Sequence, residues 1–297
     1  MKPANWTLVT FAVLAACTAD ETVLVQPVDL MCDPYHGTEQ IIRYSSDHLI
    51  VFGEMHGTEE SPEAIQQFVC AVLEQGLSVR LGLETGRAQS DALDSALGQP
   101  FERNLIKGAA TEMWSIPDGR GTEAILDVLS QVSAWKSNKL DVSVFTYDGE
   151  PQDYENAENI AKVRDAVMAR EIDRKLDGFD GVVVVLTGNL HARKSAFEFA
   201  DQEFVPMASL ITERPVLSLN MKYGPGEAWV NASIHNDDGS IEDRIGALTM
   251  SGNAGNDPST RKFELDVSEQ ELFDGYYFTG PITASPPAFP DLLPDME

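Results

Sequence analysis

The sequence predicts an α/β fold with a central, mostly parallel sheet, helices on both faces and a helical insertion that is a candidate cap. Short apolar runs rich in Val, Leu and Ile alternate along its 297 residues with longer amphipathic segments. Such runs are typical of strands buried between two layers of helices. Several runs end in, or just before, an acidic residue or a histidine. In open α/β sheets, ligand crevices form at these strand ends.

The first predicted strand, His48–Glu54, leads into the motif Gly53-Glu54-Met55-His56-Gly57. If the chain stays extended through the motif, alternation of side chains places Glu54 and His56 on the same face. A carboxylate and an imidazole are therefore expected together at the carboxyl end of this strand.

A helix from Ser61 to about Gly76 and a second strand, Val79–Glu84, are predicted next. A strand, a helix and a strand of this length form a right-handed crossover, which places the carboxyl ends of the two strands side by side. Glu84 is therefore expected near Glu54. The alternative is that Glu84 caps the helix that follows it.

The segment 87–139 is mostly helical in its pattern and is the candidate lid over the crevice. A third strand, Asp141–Tyr147, comes after it and is followed at once by Asp148-Gly149. Asp148 therefore either joins the same edge of the sheet or serves only the turn, since Asp-Gly is a turn-forming pair.

An arginine lies on the apolar face of the helix predicted over residues 156–176. Arg164 shares that face with Met168, four residues further on. An arginine in such a position requires an anionic partner. The alternative is a surface salt bridge to Asp165 or Glu171.

Four consecutive valines in the segment Val182–Thr187 predict a fully buried central strand. The motif Gly188-Asn189-Leu190-His191 follows it directly, so His191 is expected at the same sheet edge. The alternative is a purely structural histidine. One more core strand is predicted over Val216–Asn220.

These motifs resemble those of the superfamily of erythromycin esterases, ChaN-like haem-uptake lipoproteins and TraB/Tiki-type metalloproteases. The resemblance covers about residues 49–221 and depends on Gly53-Glu54-Met55-His56-Gly57, Glu84, Arg164-Asp165 and Gly188-Asn189-Leu190-His191, in that order. It implies that Glu54, His56, Glu84, Arg164 and His191 are the site residues. The later histidine motif of true erythromycin esterases is missing, so the superfamily is indicated rather than one branch.

The resemblance implies a hydrolase that activates water against a small-molecule or peptide substrate. Glu54, His56, Glu84 and His191 are ligands suited to Zn²⁺, Mn²⁺, Co²⁺ or Fe²⁺, on which bound water becomes a nucleophile. Without a metal, a histidine oriented by a carboxylate is a general base, and Arg164 stabilises the developing anion. Covalent catalysis is disfavoured because the sequence lacks a Gly-x-Ser-x-Gly motif.

The ChaN-like branch implies a different function, haem binding by a lipid-anchored protein for iron uptake. A histidine, or a tyrosine such as Tyr147, would then be an axial ligand of the haem iron. A Soret band after haemin titration favours this function, whereas stoichiometric zinc or manganese favours the metallohydrolase.

The formal net charge of −27 argues against nucleic-acid partners and against adsorption to anionic lipid, because both bind clustered Lys and Arg. Residues 1–16 have the pattern of a signal peptide, and Leu14-Ala15-Ala16-Cys17 resembles the bacterial lipobox. We therefore expect an exported protein, held only by a lipid anchor at Cys17 to the outer membrane, on its periplasmic side or at the cell surface. The alternative is an ordinary secretory signal cut near Ala16.

The expected domain organisation is a tether over residues 17–34, a single α/β domain over 35–278 and an extended, Pro-rich tail over 279–297. Export makes Cys32 and Cys70 a candidate disulfide. Closing a loop of this length would stabilise the fold by roughly 4 kcal/mol on the chain-entropy model. The alternative is two buried free thiols.

Overall fold

The computed structural model describes residues 30–155, 157, 160–199, 202–235, 241–254, 260–266 and 272–294. Its helices are α1 (Thr38–Ile42), α2 (Glu60–Glu74), α3 (Ser90–Leu97), α4 (Arg103–Ala109), α5 (Thr111–Ser115), α6 (Glu123–Ser137), α7 (Pro151–Tyr154), α8 (Ile160–Leu176) and α9 (Met207–Leu210), with 3₁₀ helices at Arg87–Gln89 and Pro290–Leu292. Its strands are β1 (Leu49–Glu54), β2 (Val79–Gly86), β3 (Val142–Asp148), β4 (Val182–Gly188), β5 (Phe197–Phe199), β6 (Gln202–Phe204), β7 (Val216–Gly224), β8 (Gly226–His235), β9 (Ile241–Met250), β10 (Lys262–Leu265) and β11 (Gly275–Pro281).

Seven of the described strands form one sheet in the order β10-β11-β7-β1-β4-β2-β3. Neighbouring strands are parallel throughout, except for the antiparallel pair β10 and β11 at one edge. The predicted α/β fold is confirmed, and the five predicted strands all lie in this sheet. The sequence did not predict β10 and β11, which extend the sheet beyond β7.

Helices cover both faces of the sheet, and successive apolar side chains of β1 point alternately into the two cores that they form. Ile50 and Phe52 belong to the core that includes α2 and the helices of the insertion. Leu49 and Val51 belong to the other core, which includes α8. β1 is therefore apolar along its whole length, as a strand covered on both faces must be.

Phe52 holds β1 in place through a cluster of aromatic rings. Its ring centroid lies 5.5 Å from that of Phe68, 5.7 Å from Phe263 and 5.2 Å from Tyr277. Contacts of this kind contribute about 0.5–1.5 kcal/mol each beyond the area they bury. The cluster makes the carboxyl end of β1 a rigid support for the side chains that follow it.

The helical insertion, α3 to α6, packs against the sheet on the first of these two cores. Trp114 and Trp135 are buried in that core. The segment 116–122 between α5 and α6 leaves it and crosses to the carboxyl edge of the sheet, where Gly57 donates its N–H to the carbonyl of Gly119 at 3.0 Å. The insertion thus contributes one loop to the crevice.

The C-terminal segment differs from the extended, disordered tail that the proline content suggested. β11 continues to Pro281, and Ile282, Ala288 and Phe289 are buried. Residues 282–289, the C-terminal strap, hydrogen-bond to two loops: Ser285 N donates to Gly57 O at 2.9 Å, and Ala288 N donates to Gly121 O at 3.0 Å. Proline-rich composition here accompanies a packed segment rather than a solvated one.

Cys32 and Cys70 form a disulfide, with their Cα atoms 5.7 Å apart. The bond ties the start of the described chain to α2. No helix among the described residues has the length and apolar character needed to cross a bilayer. Cys17, the predicted signal peptide and most of the predicted tether lie outside the described residues.

Candidate active site

The candidate site lies where four parallel strands end. Glu54 is the last residue of β1 and is paired in register with Gly188, the last residue of β4. Glu84 lies near the end of β2, and Asp148 ends β3. Because parallel strands present their carboxyl ends at one edge of a sheet, these residues come together.

His56 is oriented by Glu54. Its Nδ1 lies 2.7 Å from Oε1 of Glu54, and since a carboxylate only accepts, Nδ1 carries the hydrogen of this bond. The other ring nitrogen, Nε2, lies 3.9 Å from Oε2 of Glu84, beyond hydrogen-bond distance. In the neutral ring, therefore, the lone pair of Nε2 is available to take a proton.

The electrostatic surroundings raise the pKa of His56 above its ordinary value of 6.5. Burial acts to lower this pKa, but the hydrogen bond to Glu54 and the charges of Glu54, Glu84 and Asp118 outweigh it. A raised pKa makes His56 a stronger base than a histidine in water.

The turn that follows His56 requires a glycine. Gly57 has φ +74°, and a Cβ there would lie 1.8 Å from the carbonyl oxygen of Trp229. The carbonyl of Gly57 accepts hydrogen bonds from Trp229 N at 2.8 Å and from Ser285 N at 2.9 Å. The strand β8 and the C-terminal strap thus fix the loop that carries His56.

Glu84 is the centre of the site and is almost fully buried. Its Oε2 accepts hydrogen bonds from Thr187 Oγ1 and from the N–H of Gly188, both at 2.7 Å. Its Oε1 accepts one from Arg164 Nη2 at 2.6 Å. Burial alone would raise the pKa of Glu84, but Arg164, His191, His56 and Arg120 hold it well below its usual range. Glu84 is therefore a paired, buried anion at neutral pH.

Arg164 joins three parts of the site. Its Nε donates to Asp148 Oδ2 at 3.0 Å, and its Nη2 donates to the same oxygen at 2.6 Å and to Glu84. Its Nη1 lies 3.0 Å from Nε2 of His191. The anionic partners of Arg164 are thus Glu84 and Asp148, and the alternative of a surface salt bridge to Asp165 or Glu171 is not what the structure shows.

His191 is held by partners on both ring nitrogens. A guanidinium only donates, so Nε2 of His191 accepts the hydrogen bond from Arg164, and Nδ1 carries the ring hydrogen. Nδ1 donates to Asp165 Oδ1 at 2.8 Å, and that oxygen also accepts from Met207 N at 2.6 Å. The lone pair on Nε2 of His191 therefore already accepts a hydrogen bond, from Arg164.

The two histidines nevertheless lie close together. A Cβ built on Gly188 would be 3.0 Å from Nε2 of His56 and 3.5 Å from Cδ2 of His191. His191 Nε2 is 3.8 Å from Glu84 Oε1. The structure therefore brings Glu54, His56, Glu84 and His191 into one crevice and adds Arg164 to them.

No family model matches this sequence, and no curated protein matches it either. Several solved structures, however, match this chain. A mutant of the erythromycin esterase EreC in its open conformation is 12% identical, over 84% of this chain and 95% of that chain, with a TM-score of 0.57. A succinoglycan biosynthesis protein is 11% identical, over 88% of this chain and 95% of that chain, with a TM-score of 0.52.

The chain has the erythromycin esterase-like fold. The resemblance seen in the sequence motifs is thereby confirmed at the level of fold. A structure described as cofacial heme binding to ChaN of Campylobacter jejuni also matches, at 13% identity over 63% of this chain and 86% of that chain, with a TM-score of 0.46.

On this erythromycin esterase-like fold, Arg120 is a site residue that the sequence did not reveal. Its Nη1 donates to the backbone carbonyl of Glu84 at 3.1 Å and to Asp148 Oδ2 at 3.2 Å, while its Nε donates to Asp118 Oδ2 at 2.8 Å. The only signal was an arginine between two glycines in the segment 116–122 of the candidate lid. Two further residues belong to the site: Asp148, for which the sequence left the sheet edge and the turn as alternatives, and Asp165, which it offered as an alternative salt-bridge partner of Arg164.

The hydrogen bonds of these side chains do not fit a divalent metal. Within the described residues, no group of three or more His, Cys, Asp or Glu side chains is arranged to hold one. The lone pair of His191 and Oε1 of Glu84 both accept from Arg164, and a metal cation would have to displace that guanidinium. The predicted Zn²⁺, Mn²⁺, Co²⁺ or Fe²⁺ is unconfirmed.

Tyr147 does not fit the role of a haem ligand. It is fully buried in the core beside α8, and its hydroxyl donates to the carbonyl of Leu186 at 2.6 Å. The residue lies beneath the crevice rather than in it. His56, with its unoccupied Nε2, is the histidine best placed to meet a ligand.

The space inside the site is small. Glu54, Glu84, Arg120 and neighbouring apolar side chains enclose a cavity of about 10 Å³, which is close to the minimum for one water molecule. His56 and Arg164 reach the surface, with side chains 21% and 22% exposed. A substrate must therefore approach from the solvent side, where these two residues face it.

Proposed function

We propose that the protein is a hydrolase in which His56, oriented by Glu54, acts as the general base that activates water. The observation that carries this proposal is the 2.7 Å contact between Nδ1 of His56 and Glu54, which leaves Nε2 without a hydrogen-bond partner among the described residues, in a side chain that is 21% exposed. A histidine with one nitrogen fixed by a carboxylate and the other free is a common general base.

The reaction begins when Nε2 of His56 takes a proton from a water molecule that attacks the carbonyl carbon of the substrate. The imidazolium that forms is stabilised by Glu54 and by Glu84, whose Oε2 lies 3.9 Å from Nε2. The same proton then passes from His56 to the leaving oxygen. Both charges are in place before reaction, so no reorganisation is needed to stabilise the cation.

Two guanidinium groups supply positive charge where the oxyanion develops. Arg164 and Arg120 are both fixed by Asp148, from strand β3. Their side chains are rigid because each makes several charge-assisted hydrogen bonds. The role that the sequence suggested for Arg164, stabilising a developing anion, thus extends to a pair of arginines.

The substrate class that we propose is a carboxylic ester of a small molecule. The proposal follows from the likeness to EreC, an erythromycin esterase whose fold the chain shares. A peptide substrate is the alternative, and a peptidase assay run in parallel distinguishes the two.

The direct experiment is a hydrolysis assay on purified protein with p-nitrophenyl acetate. Wild-type protein should hydrolyse the ester, and His56→Ala should lose about 100-fold or more of kcat/KM. His48→Ala is the matched control, since His48 lies outside the site and pairs with Asp47. If wild-type protein fails to hydrolyse esters and peptides but gives a Soret band with haemin, the ChaN-like haem function replaces this proposal.

We also propose that the protein is exported and lipid-anchored at Cys17. Support comes from the lipobox-like Leu14-Ala15-Ala16-Cys17 and from the Cys32–Cys70 disulfide, a bond that persists in oxidising compartments. Labelling cells with a fatty-acid analogue tests the anchor. Incorporation should disappear in Cys17→Ala, and unchanged incorporation would refute the anchor.

A further inference from the structure

A small hairpin of aromatic residues stands beside His191. Strands β5 and β6 pair in antiparallel fashion, with Phe197 opposite Phe204. The ring of Phe204 lies 5.8 Å from the imidazole of His191, and the ring of Phe197 lies 5.1 Å from that of Phe204. The guanidinium of Arg193 stacks 4.1 Å above the centre of the Phe197 ring. We refer to β5 and β6 as the aromatic hairpin.

These two rings do not serve either core of the fold. Phe197 and Phe204 are half-buried and lie outside both clusters of buried apolar residues. Val205, the next residue, is 39% exposed. Hydrophobic and aromatic side chains are the ones that predominantly line ligand-binding sites.

The aromatic hairpin is also fixed to the site by the backbone. Immediately after β6, Met207 N donates to Asp165 Oδ1, the carboxylate that holds His191. Ala208 N donates to the carbonyl of His191 at 3.0 Å. The position of Phe204 is therefore set relative to His191 and, through His191, to Arg164.

The remainder of the site offers charge rather than apolar surface. Arg120 is paired with Asp118 and Asp148, and Glu112 lies near the same loop, where burial and the charges of Glu150 and Asp148 raise its pKa. An ester substrate has a polar scissile group and an apolar remainder. The charged part of the crevice suits the first, and the aromatic hairpin suits the second.

We propose that Phe204, with Phe197 behind it, forms an apolar subsite beside His191 that binds the acyl chain of an ester substrate. This rests on the proposed hydrolase function and names the part of the substrate that determines specificity. Burial of one methylene against such a surface raises the affinity for the ligand about three- to fourfold. Because the contact persists in the transition state, kcat/KM should rise with chain length by a similar factor per methylene.

The experiment compares p-nitrophenyl acetate, butyrate and hexanoate as substrates of wild-type protein, Phe204→Ala and Phe204→Leu. Hexanoate has four more methylenes than acetate, so wild-type kcat/KM should rise about 80- to 250-fold between them. Phe204→Ala should remove most of that rise, so that its kcat/KM for hexanoate falls much further than its kcat/KM for acetate, and Phe204→Leu should retain much of the rise. Phe101→Ala is the control, because Phe101 is a similarly exposed aromatic residue in the insertion, and it should behave as wild type.

Two failures can be told apart. If all three esters are hydrolysed but the chain-length preference is absent, or is the same in Phe204→Ala as in wild type, the proposed subsite is wrong. The proposed hydrolase function is then unaffected. If wild-type protein hydrolyses none of them, the hydrolase is wrong. In that case, the subsite can still be tested by measuring the affinities of the protein for hexanoate and for acetate by NMR. Tighter binding of hexanoate that Phe204→Ala abolishes supports it, and equal binding overturns it.

Discussion

The turns after β1 and β4 each carry a histidine to the same edge of the sheet, but the two imidazoles are held differently. Within the part of the chain that the structure describes, His56 is fixed at Nδ1 only, by Glu54, and its Nε2 has no hydrogen-bond partner. His191 is fixed at both nitrogens, by Asp165 and by Arg164. Two similar motifs thus produce a base with a free lone pair and an anchor whose lone pair is occupied.

The difference teaches that motif spacing locates a site without assigning its roles. In the sequence, Glu54, His56, Glu84 and His191 were equivalent candidates for metal binding or for acid–base chemistry. The distinction comes from α8, which supplies Arg164 and Asp165 as hydrogen-bond partners to His191. The predictions below test the role of each partner.

The largest expected effect follows loss of the carboxylate that orients His56. Glu54→Gln removes the acceptor charge that holds Nδ1 and stabilises the imidazolium, so kcat/KM for ester hydrolysis should fall about 100-fold or more. Glu59→Gln, an exposed neighbour on the same loop, is the control and should behave as wild type. Equal activity of Glu54→Gln and wild type would show that Glu54 has no part in catalysis.

Glu84→Gln should act mainly on stability. It leaves the partly exposed Arg164 with one carboxylate partner instead of two, and breaking an ion pair whose carboxylate is buried costs about 3 kcal/mol. Because the pKa of Glu84 is depressed, its stabilising contribution is present above the unfolded pKa near 4.3 and is lost as pH falls through the folded pKa.

Chemical denaturation at neutral pH measures this effect. Glu63→Gln is the matched control, because it removes a surface ion pair with Arg261, which contributes at most about 1 kcal/mol. Similar losses in the two variants would contradict the central position of Glu84.

A methyl group added at Gly188 should displace the base without unfolding the protein. The new Cβ would lie 3.0 Å from Nε2 of His56, which must then shift by a few tenths of an ångström. We expect about a tenfold loss of kcat/KM, since small misplacements of catalytic groups are costly. Gly108→Ala is the control, because nothing lies within 4 Å of its Cβ position. Unchanged kinetics in Gly188→Ala would show that the Nε2 position is not critical.

The smallest expected effect is a shift in pH dependence. Since the pKa of His56 is raised above 6.5, kcat/KM should fall with decreasing pH along a limb centred above that value. In Glu54→Gln, the residual activity should show this limb at lower pH, because the carboxylate charge that helps to raise the pKa of His56 is gone. Rates measured across roughly pH 5 to 9 at constant ionic strength decide the matter. A limb that does not move would assign the titration to another group.

The sequence predicted five strands of the sheet and five residues of the site because both depend on local pattern. Runs such as Val182–Val185 are apolar enough to be central strands, and parallel strand ends must meet at one edge. It could not predict Arg120, whose contact with Glu84 depends on the path of a loop 36 residues away.

The hydrogen-bond partners of Arg164 and Asp165 could not be predicted from the sequence, for a related reason. Arg164 and Asp165 are neighbours in the chain, yet they meet different partners, because successive residues of a helix point in directions about 100° apart. The C-terminal strap was missed because proline content indicates an extended chain and says nothing about whether the chain packs. Ile282 and Phe289 are the residues that bury it.

Chemical rescue by imidazole tests the central claim most directly. Free imidazole can replace a missing general base if the cavity left by the histidine opens to solvent beside the reacting water. We predict that added imidazole restores ester hydrolysis by His56→Ala in a concentration-dependent manner and does not restore any activity lost in His191→Ala, whose role is to hold Arg164. Rescue of His191→Ala with none of His56→Ala would contradict the account and exchange the roles of the two histidines.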